Sequence, residues 1–531
     1  MALRHSKYER AKAGRLAEEW PRVADAVFEA LGVTRHELAQ LEQALLGRLV
    51  LPGMPGYEHA RHGDDLCQYS AHPRLIAYCA VPNDVWLCLQ WAHRKGWWVT
   101  CRSGGHSTAG YSTNDGLVID LSDINHVCVD PGSMRARVGA GTRFARLNSV
   151  LDTYRLHVPG GTFGDVGIGG YMQGGGYGFT SRQYGLNCDN VLDATVMLAD
   201  GRIVVANAEK NPDLYWALRG GTGGNFGVLL EVTFRLHELH ELWGFALLWA
   251  LDDAPAVLHE LQTAYTRSGA PPELGYQVSL MIRDGLPVLA LLGMYHGPRV
   301  AGLEALASLL TIGHPAWDLD AVGPYAALNP KLEDVLPGLP PPPGRAFEAK
   351  DSTYVTAPLS VADWAVVTAY FRTTPNANNM AFFEPYGGQI NAVSPTACAF
   401  VHRDVYLDFY VDSFWKDVPE FTHAHEAKAW LRGFMDALRP FGDGRKYQNY
   451  PVRDLPDYRW AYWGDAFNTL LFVKQKYDPR DFFRFEQSIS PYPADDAAVR
   501  RSTVPSLFSD PRIVAEPFSQ SFLESDQPAT G

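Results

Sequence analysis

Between Pro159 and Gly178, glycine occupies half of the positions. No other property of this chain limits its fold so strongly. Glycine costs backbone entropy in any regular element. A fold therefore keeps such a run only where the backbone takes positive φ or passes close to something else. Two shorter stretches share the trait: Arg102-Ser103-Gly104-Gly105-His106-Ser107, and residues 219–227, which end Gly224-Asn225-Phe226-Gly227. Apolar runs at 97–101 and 116–121 flank the first, giving a strand, turn, strand pattern, and the second follows a short helix at 211–218 and leads into the apolar run 228–236. A phosphate-rich ligand lying along exposed N–H groups would explain all three loops. The usual dinucleotide signature is absent. Met172 stands where the last glycine of a GxGxxG starting at Gly167 would be, and Phe226 does so for Gly221. No phosphate-binding GxxxxGK[ST] loop occurs.

Periodicity divides the chain. Residues 1–50 show helical spacing of apolar positions (Leu16, Trp20, Val23, Val27, Leu31, Leu38, Leu41, Leu45) and read as a helical extension. Its apolar faces are expected to dock on the body or on a second subunit of a homodimer. Residues 51–237 alternate short helices and strands. Asn83-Asp84 is expected to cap a helix closed by Gly96, Thr142 to cap one running to Tyr154, and Asp200-Gly201 to turn a hairpin. Residues 238–440 contain long apolar strands (243–251, 276–282, 287–294, 406–411) with helices near 254–266 and 299–311. Pro340–Pro343 reads as a polyproline spacer. Residues 441–490 form a compact closing segment, and 491–531 a loosely ordered tail rich in Pro, Ser and Asp. The fold class expected is α+β.

The separated motifs resemble one family. They are Arg102–Ser107, the run ending Gly174-Gly175-Gly176-Tyr177-Gly178, Asn211–Gly221 with Gly224–Gly227, and Lys474–Pro479 with Glu486–Ile489. Together they look like the berberine-bridge-enzyme-like flavoproteins of the vanillyl-alcohol oxidase / p-cresol methylhydroxylase superfamily. The resemblance implies a two-part FAD-binding domain formed by both chain ends. Between them it implies an inserted α+β substrate domain, an antiparallel sheet covered by helices.

It also implies covalent FAD, joined through His106. Arg102, Ser103, Gly104, Gly105, Ser107, Gly169, Gly170, Gly174, Gly175, Tyr177, Gly178, Asn225 and Asn449 would form the cofactor-binding set. Many relatives hold the flavin a second time through a cysteine. Phe163 stands at that position here, so a single tether is expected. Tyr447-Gln448-Asn449-Tyr450 is similar to the family's Tyr-x-Asn-Tyr, which makes Tyr450 the candidate base. A tyrosine serves as base if neighbouring cations or hydrogen bonds lower its pKa from about 10. The strand Tyr406-Leu407-Asp408-Phe409-Tyr410 presents Asp408 and Tyr410 on one face and Leu407 and Phe409 on the other. Leu407 occupies the place where some relatives carry a catalytic glutamate. Tyr276, Gln277, Glu384 and Gln389 are further pocket candidates, each read first as structural.

The expected function is oxidation of an alcohol-type small molecule, a carbohydrate or secondary metabolite, by hydride transfer to FAD. Dioxygen would then reoxidise the flavin to give hydrogen peroxide. Alternatives are a multi-step or monooxygenase-like secondary-metabolite enzyme and a dehydrogenase with another acceptor. A flavin-binding protein without turnover is disfavoured. The net charge of −13 argues against a nucleic-acid partner. No apolar run reaches membrane-spanning length and the first residues do not form a signal peptide, so a cytoplasmic location is expected. Seven cysteines without CxxC spacing read as reduced thiols. No metal-ligand spacing stands out among the seventeen histidines, and no metal is assigned.

Overall fold

The computed structural model describes residues 12–62, 69, 71–267, 269–340 and 345–491. The expectations for the first eleven residues, Cys67, the last three prolines of the spacer and the tail from 492 fall outside the described residues.

The N-terminal extension folds as short helices, including Asp25–Leu31 and Arg35–Ala44. Thr34 and Glu37 close the second through a capping box, and Gly32 ends the first with φ 65°. Trp20, Val23, Phe28, Leu31, Leu38 and Leu41 are buried in the core of the body, so the extension docks on its own chain. Two expectations are corrected here. Asp84 does not cap its helix, which starts at Pro82 behind Val81. Its buried carboxylate instead accepts the amides of Leu46, Gly47 and Ala80 at 2.8–2.9 Å. It ties the extension to the body. The helix assigned to a Thr142 cap begins at Phe144 behind Arg143 and ends at Asp152.

Two sheets build the first half. Strands β1 (Arg48–Val50), β2 (Leu75–Tyr78), β3 (Val99–Arg102) and β4 (Leu117–Asp120) are ordered β1-β2-β4-β3, with β2, β4 and β3 parallel. Strands β5 (Val127–Asp130), β6 (Arg135–Gly139), β8 (Val191–Met197), β9 (Ile203–Asn207) and β10 (Val228–Arg235) form an antiparallel sheet ordered β5-β6-β10-β8-β9. The small pair β7 (Leu156–His157) and β11 (His237–Glu238) closes this half. The C-terminal helices Tyr458–Trp463 and Ala466–Tyr477 return to the same core through Trp463, Leu470 and Val473.

The chain between them forms a seven-stranded antiparallel sheet. Its strands are β12 (Leu242–Ala250), β13 (Leu274–Arg283), β14 (Leu286–His296), β15 (Ala316–Gly323), β16 (Ala346–Val355), β17 (Met380–Pro385) and β18 (Leu407–Lys416). The order is β15-β12-β14-β13-β17-β18-β16. Alternation along β18 decides its two faces. Leu407, Phe409 and Val411 pack with Trp364, Trp430 and Phe434 under the helices Val361–Phe371 and Ala424–Leu438. Tyr410 and Phe414 lie on the opposite face with Phe382 and the helix Tyr325–Glu333. That second face looks toward the glycine loops.

Candidate active site

A cleft of about 310 Å³ runs between the two-sheet half and the seven-stranded sheet. Its walls are the three glycine loops, the 447–451 segment, and Gln277, Lys350, Glu384 and Tyr410 from the large sheet. Residues separated by hundreds of positions thus meet at one surface.

His106 follows β3 at the tip of its loop, with Nε2 3.2 Å from the Asp165 carboxylate. The loop is locked against the long glycine run. A Cβ at Gly104 would overlap the Gly167 backbone, and one at Gly167 would overlap Ser103 Oγ and Gly104 N. Ser103 Oγ donates to Ala140 O at 2.6 Å, and Ser107 Oγ accepts the Tyr111 amide at 3.1 Å. Gly105, Gly169 and Gly170 line the cleft beside them, and at Gly170 a Cβ would meet open space. Tyr177 and Asn449 also line it. The Tyr177 hydroxyl lies 3.1 and 3.0 Å from the carbonyls of Tyr276 and Pro385, stitching the glycine run to the large sheet. Asn449 Nδ2 donates to Tyr171 O at 2.9 Å.

Five residues expected at the cofactor lie outside the cleft lining. Arg102 is buried, its Nε 2.6 Å from Asp120 across paired strands β3 and β4, so it fixes the base of the loop. Gly174, Gly175 and Gly178 are glycine because protein atoms approach them. A Cβ would overlap Asn449 at the first, Phe400 at the second and Gly160 O at the third. Asn225 is fully buried and staples the 219–227 loop to the C-terminal segment. It donates to Gly221 O at 3.1 Å and accepts the Ile489 amide at 2.8 Å. Lys474 completes that staple, reaching Asn225 O, Phe483 O and Asp478 at 2.6–2.7 Å.

At the large-sheet end, Tyr450 donates its hydroxyl proton to Glu384 Oε1 at 2.9 Å. The expected lowering of the Tyr450 pKa is not what the structure gives. Burial raises it well above the ordinary phenol value, and the nearby Glu384 charge adds to this. Glu384 is itself pushed up by burial to about 7, although the Tyr450 hydrogen bond and the Lys350 charge pull the other way. The Lys350 ammonium lies 4.6 Å from the Tyr450 ring centroid and 4.9 Å from that of Tyr410. It is held by Asp412 at 3.2 Å and Glu348 at 3.3 Å. Gln277 Nε2 donates to Tyr410 OH at 2.8 Å. Asp408 pairs in register with Glu384 and is fully buried with both oxygens unpartnered. Burial pushes its carboxyl well above the usual carboxylate range. Tyr276 faces the helical layer and Gln389 is exposed.

Sequence reading missed Lys350 entirely. Glu384 and Gln277 were pocket candidates read first as structural, and the face of Tyr410 was left open. The one available signal for Glu384 was an acid inside the apolar strand Met380–Pro385.

The cleft fits a flavin dinucleotide. Glycine backbone gives it a floor without side chains. Buried Thr108 Oγ1, Tyr111 OH and Gln448 Oε1 line it without protein partners, as polar ligand groups would require. Among the described residues, Cys188, Asp189 and Cys398 alone group with metal-ligand spacing, but Arg403 holds Asp189 through two contacts of 2.6 and 2.8 Å.

Comparison with known proteins agrees. A family model described as "FAD binding domain" matches residues 73–207, and one described as "Berberine and berberine like" matches 446–490. A carbohydrate oxidase of Microdochium nivale is 30% identical over 452 residues, covering 79% of this chain and 88% of the relative. A chitooligosaccharide oxidase of Gibberella zeae is 29% identical over 443 residues, covering 79% and 87%. The structure of a berberine-bridge-enzyme-like protein of Physcomitrella patens superposes with TM-score 0.75 at 28% identity, covering 86% of this chain and 99% of that one. With those matches and this cleft, the chain belongs to the berberine-bridge-enzyme-like FAD-linked oxidases of the vanillyl-alcohol oxidase / p-cresol methylhydroxylase superfamily, and it is an FAD-linked oxidoreductase.

Proposed function

We propose that this enzyme oxidises a hydroxyl group of a carbohydrate-like substrate, with FAD held covalently through His106 alone and dioxygen as the final acceptor. The observation that carries the reading is the Tyr450–Glu384 hydrogen bond of 2.9 Å at the cleft end lined by the large sheet. When bound, FAD supplies the hydride acceptor. Tyr450 would take the substrate hydroxyl proton while passing its own to Glu384. This arrangement lets a phenol act as base without ionising beforehand, which its burial prevents. Glu384, poised at about 7, can accept that proton near neutral pH. Gln277, Thr162 and Lys350 place polar groups on the surrounding wall, where a polyhydroxylated substrate could be held. The names of the carbohydrate and chitooligosaccharide oxidases support the same class.

Phe163 lies on the cleft wall, where a thiol would be required for a second tether. His106 also lines the cleft, with its ring exposed enough to reach a ligand.

The test is anaerobic mixing of the holoenzyme with cellobiose, lactose and chitobiose. The expected result is loss of visible flavin absorbance with at least one sugar, then one hydrogen peroxide per flavin when air is readmitted. Tyr450→Phe should keep its flavin and slow that bleaching by about a hundredfold. Bleaching at the wild-type rate in this variant would remove Tyr450 from the chemistry.

A further inference from the structure

We propose that Asp165 is the positioning residue for covalent flavin attachment, accepting the Nε2 proton of His106 and leaving Nδ1 as the free nucleophile. This rests on the reading of His106 as the tether and adds the group that prepares it. The Nε2 to carboxylate distance is 3.2 Å.

The contact is built into the fold. Gly104 and Gly167 interlock backbone to backbone, because a Cβ on either would overlap the other. His106 stands two residues beyond the first and Asp165 two residues before the second, which sets them face to face. The Asp165 loop is braced from behind by the helix Tyr325–Glu333. Asn329 Nδ2 donates to Thr162 O at 2.6 Å, and the Gly164 amide donates to Glu333 at 3.4 Å. Burial disfavours the ionised Asp165, yet the His106 hydrogen bond and charge outweigh it and hold the carboxyl below its usual range. The carboxylate is therefore kept ionised where the tether must form, able to accept the Nε2–H of a neutral imidazole.

The chemistry follows from the tautomer. A carboxylate holding Nε2–H fixes the proton there and leaves the Nδ1 lone pair available. In the attachment, a bond forms between Nδ1 and the C8 methyl carbon of the flavin. One methyl C–H bond breaks, and the imidazole N–H proton is released. Asp165 stabilises the cationic ring until that release. The electron pair and two protons enter the flavin ring system. Dioxygen then removes them as hydrogen peroxide, restoring oxidised, tethered flavin.

The experiment uses the full chain as wild type, Asp165→Asn, Asp165→Glu and His106→Ala. Total bound flavin and acid-stable flavin are measured over a time course of expression. Wild type should become fully acid-stable. Asp165→Asn should bind FAD but acquire the covalent bond about tenfold more slowly or worse. Asp165→Glu, which keeps the carboxylate, should recover much of the rate. Should the Asn variant bind no FAD, Asp165→Ser, smaller in the same place, carries the same comparison. Covalent incorporation at the wild-type rate without the carboxylate would overturn the proposal, as would a Glu variant no better than Asn. Acid-stable flavin in His106→Ala would overturn the tether reading itself, so the two failures are distinguishable.

Discussion

Glu384→Gln isolates the proton acceptor while preserving shape. Glutamine can still accept the Tyr450 hydroxyl through its carbonyl oxygen, so the 2.9 Å contact has a replacement. It cannot take up the proton. Turnover should fall by about 10²- to 10³-fold at all pH values. The wild-type acid limb, expected near pH 7 from the Glu384 value of about 7, should disappear.

Stability moves the opposite way. The folded-state value of Glu384 is raised from 4.5 to about 7 by burial. A raised value contributes stability that is fully present below the unfolded value and is lost as pH rises through the folded one. At about 1.4 kcal/mol per pH unit, the loss amounts to about 3 kcal/mol between the acid and alkaline limits. Glutamine is neutral throughout. The variant should therefore match wild type in shape at pH 4.5 and gain up to about 3 kcal/mol on it above about pH 8. Steady-state peroxide release from pH 5 to 9, with denaturant melts at both ends, reads both effects. Turnover within twofold of wild type, with the acid limb intact, would refute the relay.

Two further variants test the surroundings. Lys350→Met removes a positive charge that pulls the Glu384 value down, so the acid limb of the pH–rate profile should move to higher pH; an unmoved limb would show that Lys350 does not act on the pair. Arg102→Met leaves Asp120 buried without its cation and should cost about 3–5 kcal/mol in a denaturant melt. A cost under about 1 kcal/mol would mean that the pair does not secure the loop.

The loops were legible in the sequence because close backbone approach demands glycine wherever it occurs. That same fact misled the assignment of individual positions. Gly174, Gly175 and Gly178 accommodate Asn449, Phe400 and Gly160, and nothing in a glycine's identity tells a ligand from a neighbouring chain segment. The two-part flavin-binding unit was legible from motifs placed at both ends, and the core shared by residues such as Leu229 and Leu470 realises it. Asp84 was misread because its capping signal is local, whereas the amides of Leu46 and Gly47 compete for it from far along the chain. Lys350, and the meeting of Glu384 with Tyr450, were hidden for a topological reason. Only the pairing of β17 and β16 with β18 brings both residues to Tyr450, and strand order leaves no mark in local periodicity.

The central claim is that one FAD lies along this cleft, held by His106 and by no second bond. Intact-mass measurement of the purified holoenzyme, followed by sequencing of the flavin-bearing peptide, tests it most directly. The account predicts a mass increase of one FAD and a single modified residue, His106. Flavin released by acid, or a modification on any other side chain, would contradict it.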